Sequence, residues 1–163
     1  MKISHTLLHG LALSLIASLY IIVTFKIDPR IWLQDYPQSI QDLLPPKDDR
    51  EKRLSLILGI PFLLLLFGVP LVSTILLRNH NPDFSYFSLV LNAFGVAFFF
   101  NVVDWLVLDW LMFCTITPAF IVLPGSEGSP GYQDYKYHFR GFLIGSALSI
   151  ISGLIFGGIA LLF

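Results

Sequence analysis

The sequence holds a single cysteine, Cys114. No disulfide can close within the chain, and no cysteine-rich zinc site can form. With Phe113, Thr115 and Ile116 around it, Cys114 reads as a packed, inert thiol, because a buried free cysteine behaves as a small hydrophobe. Charge is scarce as well. Asp, Glu, Lys and Arg supply 13% of the residues, about half their share in an ordinary soluble domain. The formal net charge is −1, so no broad field selects a polyanion, and nucleic acid is not an expected partner. HExxH, GxSxG, P-loop and GxGxxG patterns are all missing. Zinc-protease, serine-hydrolase and nucleotide chemistries therefore have no support. The sequence assigns no enzyme activity and no cofactor.

Apolar residues are what the chain has in quantity. They make up 55% of 163 residues, fifteen of them Phe, and the mean hydropathy is +0.75. A soluble domain of this size still exposes roughly a third of its chain surface, too much for such a composition to keep in water. A lipid bilayer is the expected surrounding, around one integral membrane domain over 1–163.

A hydrocarbon core about 30 Å thick takes about 20 helical residues to cross. Four runs qualify, at about 5–25, 54–77, 84–110 and 139–163. Inside lipid every backbone polar group must be paired within the chain, which leaves helices or a closed barrel. No alternating ten-residue pattern suggests a barrel. The expected fold is all-α: a four-transmembrane-helix bundle with a partly interfacial first loop. The run after Lys2 is longer than the roughly 7–15 apolar residues of a signal peptide, and no small-x-small site precedes Lys26, so a retained helix is expected.

The first loop, 26–53, mixes Ile31, Trp32, Tyr36, Ile40, Leu43 and Leu44 with polar residues. Its aromatics are expected at headgroup level. The run 47–53 mixes both signs and reads as a solvated helix start with acids near its N-terminal end. Pro61 and Pro70 predict a kink or hinge in the second span. Asp83 is placed to cap the third.

The third span is too long. From Phe84 the apolar core is crossed near Asn101 and Asp104, yet 110–124 is apolar again before Pro118 and Pro124 break it. That predicts an extension, a re-entrant piece or a lid within the 111–138 connection. On a regular helix Asn101 and Asp104 are one turn apart and Asp109 falls roughly 80° from Asn101, so the three share a broad polar arc. The end of this span and the start of the next lie on one membrane side, where Asp134, His138 and Arg140 join them. Asp134 and His138 are four apart and positioned to pair.

Ionisable residues at membrane depth are costly unless paired or functional. Asn101, Asp104, Asp109, Asp134, His138 and Arg140 are thus candidates for a site that takes a metal, a proton or a small polar ligand. Asp104 and His138 are its expected core and first metal candidates. His5 and His9, four apart at the start of the first span, are the second metal candidates.

The competing reading is structural, with the charges clamping helices together. Gly141, Gly145, Ser149, Gly153 and Gly157 form an unbroken small-residue ridge along the fourth span, and Gly10, Ser14 and Ser18 form a shorter one on the first. Such ridges bring helices close, within the chain, in a homo-oligomer or against another membrane subunit. Lys and Arg are concentrated in 26–53 and 111–138, which the positive-inside rule makes cytoplasmic.

Overall fold

The computed structural model describes residues 2–163. These are about 80% helical and contain no strand. Helix α1 spans Ile3–Ile27, and a 3₁₀ turn over Pro29–Asp35 and a short α2 at Gln38–Gln41 follow. Helix α3 covers Asp49–His80 and α4 covers Tyr86–Val103. The chain continues from α4 without a break into a π-helix, Asp104–Ile116, and after a 3₁₀ turn at Pro130–Gln133 closes with α5, Tyr135–Ala160. Four helices are long and apolar enough to cross a membrane: α1, α3, α4 with its π-helical continuation, and α5.

Their ends are set by local chemistry. Asp48 and Glu51 form a reciprocal capping box: Glu51 N–H donates to the Asp48 carboxylate at 2.7 Å, and Asp48 N–H to that of Glu51 at 2.8 Å. This starts α3 five residues ahead of the apolar run. Glu51 also holds Arg30 in an ion pair, and Lys47 donates to Ser55 Oγ at 2.8 Å. The charged run therefore ties the first loop to α3 as well as being solvated. Ser85, not Asp83, caps α4: its hydroxyl accepts from Ser88 N–H at 3.4 Å, whereas Asp83 makes its bond through its own N–H, to Asn81.

Pro61 and Pro70 lie inside α3, which remains one helix across both. A neighbour supports the weakened stretch: the Tyr20 hydroxyl donates to the Leu58 carbonyl, one turn before Pro61, at 2.7 Å.

The small-residue ridge of α5 faces α4. A methyl group added at Gly153 would lie 3.0 Å from Phe94 Cβ, and one at Gly157 would lie 2.9 Å from Val90 N; at Gly145 it would collide with the Asn101 side chain. Gly141 is the exception, with open space around it. From Gly145 to Gly157 the ridge packs within the chain. On α1, Gly10 lies under Phe99, and Ser14 is buried, its hydroxyl donating to the Gly10 carbonyl.

The first loop folds as a cap over one end of the helices. Ile31, Leu33, Tyr36 and Ile40 are buried in protein, and the Tyr36 hydroxyl donates to the Ile121 carbonyl at 2.8 Å. Tyr36 is 0% exposed, which corrects the expectation that its ring is available at headgroup level. Trp32 also packs inward, against Phe25 and Phe62, with its indole N–H donating to Thr24 Oγ1 at 2.9 Å. Leu43 does remain exposed. The 111–138 connection completes the same cap, with Tyr132 edge-on to Tyr36 and Ile121 and Leu123 fully buried.

Candidate functional site

The π-helix is the local feature that shapes the site. Its bonds run from each N–H to the carbonyl five residues back, which sets residues five apart over one another. Thr117 N–H reaches the Met112 carbonyl at 2.9 Å, and the Thr115 hydroxyl reaches the Trp110 carbonyl at 2.7 Å. In an α-helix Asp104 and Asp109 would point about 140° apart, at 3.6 residues per turn. In the π-helix they are brought toward one side, as are Leu108 and Phe113, both buried. Thr117 ends the helix with a positive φ of 46°, unusual for a β-branched residue. Its hydroxyl donates to the Phe113 carbonyl at 2.8 Å and helps hold that geometry. The apolar stretch after Trp110 is thus first an extension of the span and then part of the cap. Cys114 is buried in it.

Asp104 and Asp109 line a cavity of about 590 Å³. Its walls come from every large element: Phe25 from α1, Trp32 and Asp35 from the first loop, Phe62 from α3, Asn101 from α4, and His138 from α5. Aromatic rings dominate. Trp105 stacks on Phe142 with centroids 4.3 Å apart, and His138 lies 4.7 Å from Phe113.

Within it, His138 Nδ1 lies 2.9 Å from Asp109 Oδ1. His138 is only 5% exposed, and its other ring nitrogen, Nε2, has no partner among the described residues. The expected Asp134–His138 pair does not form. Asp134 instead caps α5, its carboxylate accepting from Tyr137 N–H at 2.9 Å. Asp104, half-buried on the wall, makes no side-chain hydrogen bond or ion pair among the described residues, and neither does Arg140, which lines the cavity from an exposed position. An Asp–Arg clamp is therefore not part of this arrangement. Asn101 does join helices: its amide donates to the Phe142 carbonyl at 3.0 Å and to Ser146 Oγ at 3.1 Å.

Sequence reasoning missed Asp35. It lines the cavity from the first loop, outside the apolar runs. Much of its surface is accessible, yet the surrounding protein pushes its carboxyl up to about 6, Lys47 opposing this and Asp109 adding to it. Accessible water weakens any consequence for stability. Burial lowers the Lys47 ammonium, which Asp35 and Glu51 partly restore. The Glu51 hydrogen bond raises the Arg30 guanidinium, and burial raises the Tyr36 phenol.

No group of three or more His, Cys, Asp or Glu side chains is arranged to hold a metal ion among the described residues. Asp104 and His138 lack the further ligands a metal needs. So do His5 and His9, whose rings lie 4.1 Å apart. His5 Nε2 lies 3.0 Å from the Ser73 carbonyl, and His9 Nδ1 lies 2.9 Å from the His5 carbonyl.

That end of the molecule holds a second polar cluster that the sequence did not suggest. Asn92, 0% exposed, accepts from Thr6 Oγ1 at 2.7 Å and donates to Thr74 Oγ1 at 3.0 Å, linking α1, α3 and α4. Its groups are satisfied by one another, as a structural network requires. No protein-family model, no curated protein and no solved structure matches this chain, so the chemistry of the site rests on its own residues.

Proposed function

We propose that this is a multi-pass integral membrane protein, one domain over 1–163, with a binding site for a small polar ligand or a proton at the capped end of its helices. The helices supply the first part of the reading. Only 6% of the most apolar window of α3 is buried against the rest of the chain, so that face needs lipid or another apolar cover. By the positive-inside rule the cap, made of 26–53 and 111–138, faces the cytoplasm.

One observation carries the site. A carboxylate–imidazole pair and a carboxylate without a partner among the described residues, Asp104, lie on the wall of a single cavity. A cavity of that size falls in the range of small-molecule sites, which combine apolar walls with a few polar groups. Carboxylates and histidine at such depth mark ligand and proton sites.

A chemical-access experiment tests it. Leu108, 4% exposed on the cavity wall, is changed to Cys in a Cys114→Ala background, and membranes are treated with N-ethylmaleimide. The site reading expects labelling. An unreactive cysteine at 108, beside a reactive Leu43→Cys control, would reject it.

The clamp reading is favoured at two positions, because Asn101 and the Asp109–His138 pair both join the third span to α5. It gives Asp104 no task. The assembly-subunit reading loses most of its ridge to α4 and is left with the bare face of α3 as its surface for a second copy or another subunit.

A further inference from the structure

We propose that the cavity takes a lipophilic organic cation, an alkylammonium group with an apolar tail, with Asp104 as its counter-charge. The inference rests on the reading of the cavity as a ligand site, and it replaces the small polar ligand by a charged headgroup carried on an apolar tail.

Charge sets the sign. Asp35, Asp104 and Asp109 face the cavity, against the single guanidinium of Arg140. Asp109 is engaged by His138, whose Nδ1 lies 2.9 Å from its Oδ1. Asp104 is unmatched among the described residues, and a lone carboxylate at membrane depth is costly. A cation beside Asp104 removes that cost, whereas an anion would add to it.

The walls set the shape. Trp32, Tyr36, Phe62, Trp105, Phe113 and Phe142 surround the space. Aromatic faces attract cations through the ring quadrupole, most strongly where water is excluded, and cages of such rings are the usual receptacle for alkylammonium groups. A compact, heavily hydrated metal ion would lose more than these rings return, and no metal-ligand set is found among the described residues.

The mouth sets the tail. Ile144 and Leu148 of α5 line the cavity and are also 63% and 50% exposed on the outer surface. Phe62 and Leu66 of α3 line it from the opposite side. The space therefore opens sideways between α3 and α5, through residues facing the surroundings of the spans. An alkyl chain fits that opening, and a purely water-soluble cation gains nothing from it.

The test extends the labelling assay to purified protein in an uncharged maltoside detergent. Octyltrimethylammonium is expected to slow labelling of Leu108→Cys in a saturable manner, while octyl sulfate, with the same tail and opposite charge, does not. Adding Asp104→Asn should raise the half-protecting concentration about tenfold. Phe62→Leu, on another helix, should raise it several-fold, which guards against a folding defect confined to the Asp104 variant.

Short-chain dihexanoylphosphatidylcholine separates two sources of the same chemistry. Protection by it as well assigns the site to choline lipid headgroups. Protection by the free cation alone assigns it to a dissolved amphiphile. Equal protection by cation and anion, or an unchanged concentration in both variants, overturns the proposal. Normal labelling without protection overturns the cation alone and leaves the ligand site standing. No labelling in the absence of ligand removes both.

Discussion

Asp104 and Asp109 stand five residues apart on one π-helix, yet among the described residues only Asp109 has a partner, the Nδ1 of His138 at 2.9 Å. The two carboxylates should therefore respond oppositely to neutralisation. Removing Asp109 leaves a buried imidazole without its bond, which costs about 1–3 kcal/mol. Asp109→Ala should lower stability by that amount. Asp109→Asn, which keeps an acceptor oxygen, should lower it less. Asp104→Asn breaks no bond and should be neutral or stabilising. Reversible unfolding by added SDS in mixed micelles measures all three. Equal losses at 104 and 109 would contradict the pairing.

Asp35 provides a pH test. Its carboxyl is raised from 3.8 to about 6 by the protein around it, with Lys47 pulling it down and Asp109 pushing it up. The folded state thus holds this proton more tightly than the unfolded chain does. Below about pH 4 both states are protonated and the group has no effect. As pH rises from 4 to 6 the folded state becomes less favourable, and the penalty is complete above 6. With water near Asp35, the midpoint is a better readout than stability. Carboxyl chemical shifts in ¹³C-Asp-labelled protein should give a midpoint near 6 for the resonance lost in Asp35→Asn. Lys47→Gln should raise that midpoint, and Asp109→Asn should lower it.

The four apolar helices are legible because 20 uninterrupted apolar residues have few other uses. Their ends are less so, since caps override hydropathy: the Asp48–Glu51 box starts α3 early, and Ser85 takes the cap expected of Asp83. The π-helix is illegible because no residue preference announces it. At 3.6 residues per turn Asn101, Asp104 and Asp109 share an arc, which the five-residue repeat rearranges. Asp134 and His138 have the right spacing to pair, but an aspartate at a helix start is drawn to the free N–H groups there. Asp35, Tyr36 and Asn92 acquire their roles only when distant segments meet. Of the site, Asp104, Asp109 and His138 could be named in advance, and their pairing could not.

The α5 ridge separates packing within the chain from association. A side chain at Gly153 must displace Phe94 or the Val90 carbonyl, 3.1 Å from an added methyl, and one at Gly157 meets the Val90 backbone. Gly153→Ile and Gly157→Val should each destabilise by about 1–3 kcal/mol, the usual cost of overpacking. Light scattering should record the same mass for folded variants and wild type. Gly141→Ala, with open space around it, should gain about 0.4–1 kcal/mol from the lost freedom of the unfolded glycine. A change of oligomeric state at constant stability would move the ridge to an interface between copies.

Asn92 tests whether the polar cluster at the uncapped end holds helices or serves chemistry. Its amide links Thr6 on α1 to Ser73 and Thr74 on α3 at full burial. Bonds of this kind inside membrane proteins contribute about 0.6–2 kcal/mol each. Asn92→Ala removes three of them and leaves Thr6, Ser73 and Thr74 to find new partners. Ser73 retains His5 Nε2 at 3.2 Å, and Thr74 can still donate to the Pro70 carbonyl at 2.8 Å. The loss should therefore be nearer 1–2 kcal/mol than the full sum. Asn92→Leu adds bulk in a space that Asn fills and should be worse. Neither change should alter N-ethylmaleimide labelling of Leu108→Cys, because the cluster and the cavity lie at opposite ends of the helices. A labelling change as large as that from a cavity-wall substitution would mean that the two ends are coupled, and Asn92 would then belong with the site.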